Sequence, residues 1–276
     1  MAFATAEPGK PHPGPWRAAH GGFAHDITIE LRVPARGRPG GFTSKDAMWW
    51  IIALLRISSA PYLTAPVTID MPFAKAAASE REPTISPFEI EQRIFHKPKA
   101  AKEELKLGEL CWVRDNWIRA AELAHANPKF LTAFQAWDSC RVKARTSSSL
   151  LLVWGALEQL FAPSAAELRY RVASNLAAYL DQRGPTRLAT YKRILRLYND
   201  RSAAAHTVTD SDIGALTESW VILRNALMKM IIEHHIPSQA DFEHLIFADD
   251  AAPDPAALSW SGGPDEARSK THSKRR

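Results

Sequence analysis

The chain has 276 residues and a formal net charge of +5, and 46% of its residues are hydrophobic. This apolar content predicts a sizeable globular core and excludes a chain that is disordered throughout. Its two cysteines, Cys111 and Cys140, exclude a disulfide framework and lack the spacing of zinc ligands. The mild basic excess is compatible with a nucleic-acid partner but does not require one.

We expect a cytoplasmic protein without membrane association. The first residues, MAFATAEPGKPHPGPW, carry no apolar run of the signal-peptide type. Apolar runs such as SLLLVWGAL are far shorter than the ~20 residues that a bilayer-spanning helix needs. Residues 1–20 are rich in proline and glycine, so we expect them to be disordered.

Residues 21–102 are predicted to form a small α+β region. The segment FAHDITIELRV is rich in β-branched residues and predicts a strand near 25–33. SKDAMWWIIALLRIS predicts a helix over 44–58 with Ser44 as a possible N-cap, and VTIDM predicts a second strand. No motif in this region indicates a chemical activity.

Residues 103–238 are predicted to form an antiparallel helical bundle, because proline becomes sparse and apolar residues recur with a helical period. The fold class is therefore mainly α. Ser164 and Glu167 have capping-box spacing for the fourth helix, and Thr186 is a candidate cap for the fifth. The residues of the last helix that recur every three or four positions form a seam suited to helix packing. They are Ile213, Leu216, Trp220, Leu223, Leu227 and Met230. Residues 248–276 are expected to be a disordered basic tail.

Two features of the bundle indicate chemistry. Glu158 shares an apolar helix face with Trp154 and Phe161, where an unpaired carboxylate is costly. The segment YNDRSAAAHT places Arg201 five residues before His206. A histidine can transfer protons near neutral pH, and an arginine presents a fixed cationic fork to phosphate oxygens.

The order of these elements resembles the HEPN superfamily, and more narrowly its Apea-like group, over about residues 128–236. The resemblance is carried by an ALE-x-LF helix, a capped helix after it, and a Tyr-x-x-Arg-Ser-x-x-x-His segment that leads into the last helix. It implies a metal-independent endoribonuclease without a cofactor, in which Arg201 and His206 are catalytic. Glu158, Ser202 and Tyr198 would support them. Ser202 stands where the best-known catalytic members often carry Asn, Asp or His.

The resemblance also implies partners. Catalytic HEPN proteins commonly form homodimers whose Arg and His residues line one cleft that binds RNA. Many act as toxins or in defence against phage, so an antitoxin or another regulatory partner is an open expectation. The N-terminal region would then sense a trigger or select the RNA.

Alternatives remain open from the sequence. On a straight helix, five residues turn the chain by about 140°, so Arg201 and His206 converge only if the helix frays or a second subunit contributes. Arg201 would otherwise pair with Glu158 as a structural element, and His206 would be a polar helix-end residue. A second hypothesis is a non-catalytic RNA- or nucleotide-binding or oligomerisation module, in which the seam of the last helix is the dimer surface and Arg201 binds phosphate without cleavage. Metal binding by His234, His235, Asp241 and His244 is conceivable, but a solvated helix end is favoured and no metal site is predicted.

Overall fold

The computed structural model is mainly helical. It describes ten stretches of the chain, which are residues 16–20, 23–27, 29–33, 41–58, 63–76, 78–89, 106–142, 145–162, 167–206 and 212–248. The helices are α1 (Ser44–Ser58), α2 (Phe73–Ala76), α3 (Leu107–Ala126), α4 (Pro128–Ser139), α5 (Thr146–Phe161), α6 (Leu168–Leu180), α7 (Pro185–His206), α8 (Ile213–Glu233) and α9 (Gln239–Phe247). A short 3₁₀ turn, Cys140–Val142, follows α4. The predicted mainly α class is confirmed at this level.

Two small antiparallel hairpins make up the β structure of the described residues. Strand β1 (Trp16–His20) pairs with β2 (Phe23–Ile27), and β3 (Val67–Ile69) pairs with β4 (Ile85–Pro87). The prediction of disorder through residue 20 is therefore wrong for β1, and the strand predicted near 25–33 ends earlier. Residues 1–15 and 249–276, where the rest of the predicted disorder falls, lie outside the described residues.

Helix α1 spans the predicted range, but its cap is different. Thr43, not Ser44, caps it, because the Thr43 hydroxyl accepts from the Asp46 backbone N–H at 3.2 Å and Asp46 Oδ2 accepts from the Thr43 N–H at 2.8 Å. Helix α1 packs against α3 and α8 and contributes to the main hydrophobic core. The predicted boundary near residue 102 lies outside the described residues.

The predicted caps of α6 and α7 are wrong. Glu167 is the residue before α6 and has a left-handed backbone (φ 54°), so it is not the third helical residue that a capping box with Ser164 requires. Ser164 itself lies outside the described residues. Helix α7 already begins at Pro185, which places Thr186 inside its first turn. Gly184 before it has a φ of +144°, a conformation that favours glycine.

Helix α5 lies at the centre of the bundle and packs against α4, α6, α7 and α8. Its fully buried residues include Leu150, Trp154, Leu157 and Phe161, which are the apolar face expected from their spacing. Because Glu158 follows Trp154 by one helical turn, the central helix presents a carboxylate to its neighbour α7. None of the described helices is long and apolar enough to cross a bilayer.

Candidate functional site

Arg201 on α7 and Glu158 on α5 form a half-buried ion pair. Arg201 Nη2 lies 3.2 Å from Glu158 Oε1 and 3.4 Å from Oε2, and only the longer contact has hydrogen-bond geometry. The Arg201 side chain is 27% exposed and that of Glu158 17% exposed. These distances exceed the roughly 2.7–2.9 Å of a strong charge-assisted hydrogen bond. The two residues are thus in contact, but the contact is a loose one.

Tyr198 completes this cluster from α7. The Arg201 guanidinium lies 5.5 Å from the centre of the Tyr198 ring, a cation–π contact. The same ring meets Trp154 edge-on, with centroids 5.2 Å apart. Burial raises the pKa of the Tyr198 hydroxyl, and the negative charge of Glu158 adds to this shift. Tyr198 therefore stays neutral at ordinary pH.

Ser202 has a local role in the described structure. Its hydroxyl donates to the Tyr198 carbonyl oxygen at 3.1 Å, the carbonyl one helical turn earlier. Such a bond satisfies the hydroxyl within the helix itself. Ser202 therefore sits beside the cluster without contributing a contact to Glu158 or Arg201 among the described interactions.

The backbone of α7 extends without a break through His206, whose side chain lies outside the part of the chain that the structure describes. Fraying between Arg201 and His206 would have been one way to bring the two together within one chain. Because the helix is continuous, their Cα positions are separated by about 140° around its axis. The structure therefore brings Arg201, Glu158 and Tyr198 together, but the α7 backbone does not bring Arg201 and His206 onto one face.

A second cluster of charged residues, which the sequence did not reveal, joins the N-terminal region to the bundle. Arg56 of α1 is fully buried, and its Nη2 donates to both oxygens of Glu89 at 2.7 and 2.5 Å. Its Nη1 lies 3.1 Å from both oxygens of Asp138 on α4, and its Nε donates to the Leu63 carbonyl at 2.8 Å. Arg141 adds a contact to Glu89 at 3.2 Å.

The charges of this cluster balance, two arginines against two carboxylates, as a buried ionic group requires. Burial, and then the charge of Arg56, lower the pKa of Arg141. Trp49 Nε1 donates to Asp138 Oδ2 at 3.0 Å and fills a remaining acceptor position. Arg56 could have been singled out in the sequence, because it interrupts the apolar run IIALLRIS. A cation there needs a partner, but spacing alone does not identify Glu89 or Asp138.

The histidine-rich segment near the end of α8 forms structural contacts. His234 has a left-handed backbone (φ 51°) and ends α8, so the helix ends before the predicted stop at Pro237. His235 Nε2 lies 3.0 Å from Asp241 Oδ2, and Asp241 in turn forms a capping box with Ser238 at the start of α9. Helix α9 was not predicted, although Ser238 and Asp241 have the spacing of a helix start. No group of three or more potential metal ligands occurs among the described residues.

The seam of α8 is part of the interior of the bundle, except for its first residue, Ile213, which is exposed. Leu216, Leu223, Leu227 and Met230 are fully buried, and Trp220 stacks on Trp137 with centroids 5.0 Å apart. The expectation that this seam packs against helices is confirmed. The hypothesis that it forms a dimer surface is wrong, because residues of the same chain already cover it.

Comparisons with known proteins find no match to this chain among protein-family models, curated proteins or solved structures. The resemblance to the HEPN superfamily therefore rests on the sequence elements alone.

Proposed function

We propose that the protein is a metal-independent endoribonuclease of HEPN type. The observation that carries the proposal is the exposure of Arg201 and the contacts that it makes. Its side chain is partly exposed, it contacts Tyr198 and Glu158, and its buried Nε has no hydrogen-bond partner among the described residues. A cation with an unused donor, five residues before a histidine, suits the recognition of a phosphodiester.

The reaction needs only proton transfer and charge stabilisation. The RNA 2′-OH loses its proton and attacks the adjacent phosphorus, and the 5′ oxygen of the next nucleotide leaves as it gains a proton. In this mechanism Arg201 stabilises the negative charge on the phosphate oxygens. His206 transfers protons, since imidazole is the side chain whose charge changes most readily near neutral pH. DNA lacks the 2′-OH and is not cleaved by this route.

A second copy of the chain is part of the proposal, because the unbroken helix α7 keeps positions 201 and 206 on different faces. Arg201 of one subunit and His206 of another could then share one cleft. Since α8 is covered within the chain, this contact would have to use another surface. A role as a toxin or in phage defence, with an antitoxin as partner, rests on the family resemblance alone.

The alternative is a non-catalytic HEPN-like module that binds RNA or a nucleotide. The ion pair between Arg201 and Glu158 favours it, because a structural arginine would make the same contact. The hydrogen bond of Ser202 to the helix backbone also favours it. In that case Arg201 would bind phosphate without any cleavage.

Cleavage of single-stranded RNA in EDTA tests the proposal. We expect cleavage by the native protein, and losses of at least about 100-fold in Arg201→Ala and His206→Ala, the scale of removing a charge stabiliser or an acid–base group. Arg114→Ala is the matched control, because Arg114 is an exposed arginine of α3 that pairs only with its neighbour Asp115 in the described structure. All variants should retain the native circular dichroism. RNA binding without cleavage by the native protein would establish the non-catalytic alternative.

A further inference from the structure

The two paired arginines of the bundle, Arg56 and Arg201, use their donors very differently. In Arg56 all three guanidinium nitrogens have acceptors at 2.5–3.1 Å, and the side chain is inaccessible to solvent. In Arg201 a single nitrogen, Nη2, meets Glu158 at 3.2–3.4 Å. Arg56 is therefore saturated by its carboxylates, whereas Arg201 is not.

The unused donor of Arg201 lies on the same edge as the used one. In a guanidinium, Nε and Nη2 point their hydrogens in parallel, and this edge is the one that matches two oxygens of a carboxylate or phosphate. Glu158 takes only the Nη2 position, and Nε is buried without a partner among the described residues. One acceptor is thus missing from an edge that fits two.

Arg201 is also held independently of Glu158. Its guanidinium contacts the face of the Tyr198 ring, and burial, together with the charge of Glu158, raises the pKa of the Tyr198 hydroxyl. Arg201 therefore retains its contact with Tyr198 when the ion pair opens.

We propose that Glu158 is an internal competitor for Arg201, and that a phosphate oxyanion displaces it and binds the Nε–Nη2 edge with two hydrogen bonds. The inference rests on the proposed function in that it assigns the regulation of the same site. In the absence of phosphate, Glu158 would keep the Arg201 guanidinium oriented. Its competition would raise the phosphate concentration that is needed to occupy the Nε–Nη2 edge. Neutralising Glu158 would then strengthen phosphate binding. If Glu158 served only to position Arg201, neutralising it would weaken phosphate binding instead.

The test measures binding of inorganic phosphate and of a short oligodeoxynucleotide, which carries phosphodiesters without a 2′-OH, by isothermal titration calorimetry. Glu158→Gln keeps the size of the side chain and removes its charge. We expect binding about two- to five-fold tighter, the factor that corresponds to an ion pair of this exposure. The gain should vanish in the double variant Glu158→Gln/Arg201→Ala. Unchanged or weaker binding by Glu158→Gln would overturn the proposal.

Asp115→Asn is the matched control, because it removes one negative charge beside another arginine, Arg114, at an exposed position. An equal gain in phosphate affinity in both variants would show that the effect comes from net charge alone, and it would also overturn the inference. Should Glu158→Gln fail to fold, Glu158→Asp shortens the carboxylate by one methylene and should shift the affinity in the same direction.

The result of the phosphate-binding experiment can be distinguished from the result of the RNA-cleavage assay. Tighter phosphate binding by Glu158→Gln in a protein that leaves RNA intact would reject the nuclease and retain the competitor. Cleavage by the native protein together with weaker phosphate binding by Glu158→Gln would reject the competitor alone.

Discussion

Asp138 and Arg56 form a buried ion pair in which both carboxylate oxygens of Asp138 lie 3.1 Å from Nη1 of Arg56. Arg56 belongs to α1, near the N-terminal end of the described fold, and Asp138 belongs to α4 of the bundle. The pair therefore connects segments that are 82 positions apart in the sequence. Its removal should reveal how strongly the N-terminal region depends on the bundle.

Asp138→Asn should lower the free energy of unfolding by about 3–5 kcal/mol, because it leaves the buried positive charge of Arg56 without one of its two carboxylates. Urea denaturation measures this loss. Asp115→Asn, at an exposed pair, should change stability by less than about 0.5 kcal/mol. A loss of similar size in both variants would contradict the assignment of the Arg56 cluster as a buried connection.

Leu223→Ala should lower the free energy of unfolding by about 2–5 kcal/mol, since it creates a cavity in the seam of α8. Leu223 is fully buried within its own chain. The loss should therefore be the same at low and high protein concentration. A loss that depends on protein concentration would instead show that the seam is an interface between subunits.

Alkaline pH should destabilise the protein through Tyr179. Burial, and then the charge of Glu233, raise the pKa of the Tyr179 hydroxyl above its ordinary value. Above about pH 10 the unfolded chain loses this proton while the folded chain keeps it, so stability falls as pH rises through this range. The free energy of unfolding of Tyr179→Phe, measured between pH 9 and 11, should fall less steeply with pH than that of the native protein. The free energy of unfolding of Tyr170→Phe, at an exposed position, should fall as steeply as that of the native protein.

Acid should weaken the start of α9. Hydrogen bonds from the Ser238 side chain and backbone, together with His235, lower the pKa of Asp241 to about 2. Since an unfolded aspartate titrates near ~3.9, the stabilisation by the Asp241 carboxylate is present above that pH and is lost as pH falls toward about 2. Asp241→Asn should cost about 1 kcal/mol at pH 6, the scale of a helix cap. The difference from the native protein, measured by urea denaturation, should shrink between pH 4 and pH 2. A constant difference would show that the charge of Asp241 is irrelevant to the cap.

The helices of the bundle were predictable because their apolar periodicity is local information. The range of α1 and the buried faces of α5 and α8 follow from spacing alone. The caps of α6 and α7 were mispredicted, because the spacing of Ser164 and Glu167 and the side chain of Thr186 suit a cap but do not fix the residue at which each helix begins.

The charged clusters were predictable only in part. The pairing of Glu158 with Arg201 was one of the alternatives from the sequence, because a carboxylate on an apolar face is costly without a partner. The carboxylate partners of Arg56 come from the segment after β4 and from α4, which the sequence does not place beside α1. Long-range contacts between single charged residues leave no periodic trace. A charged residue that interrupts an apolar run therefore indicates that this residue has a partner, but it does not identify the partner.

The unbroken course of α7 has a kinetic consequence. A rigid rod fixes the angle between positions 201 and 206, so a single subunit cannot adjust it to suit a substrate. If the two positions act together only across subunits, the rate at low concentration follows the square of the amount of protein. Halving the enzyme would then quarter the initial rate, whereas a site complete in one chain would lose only half.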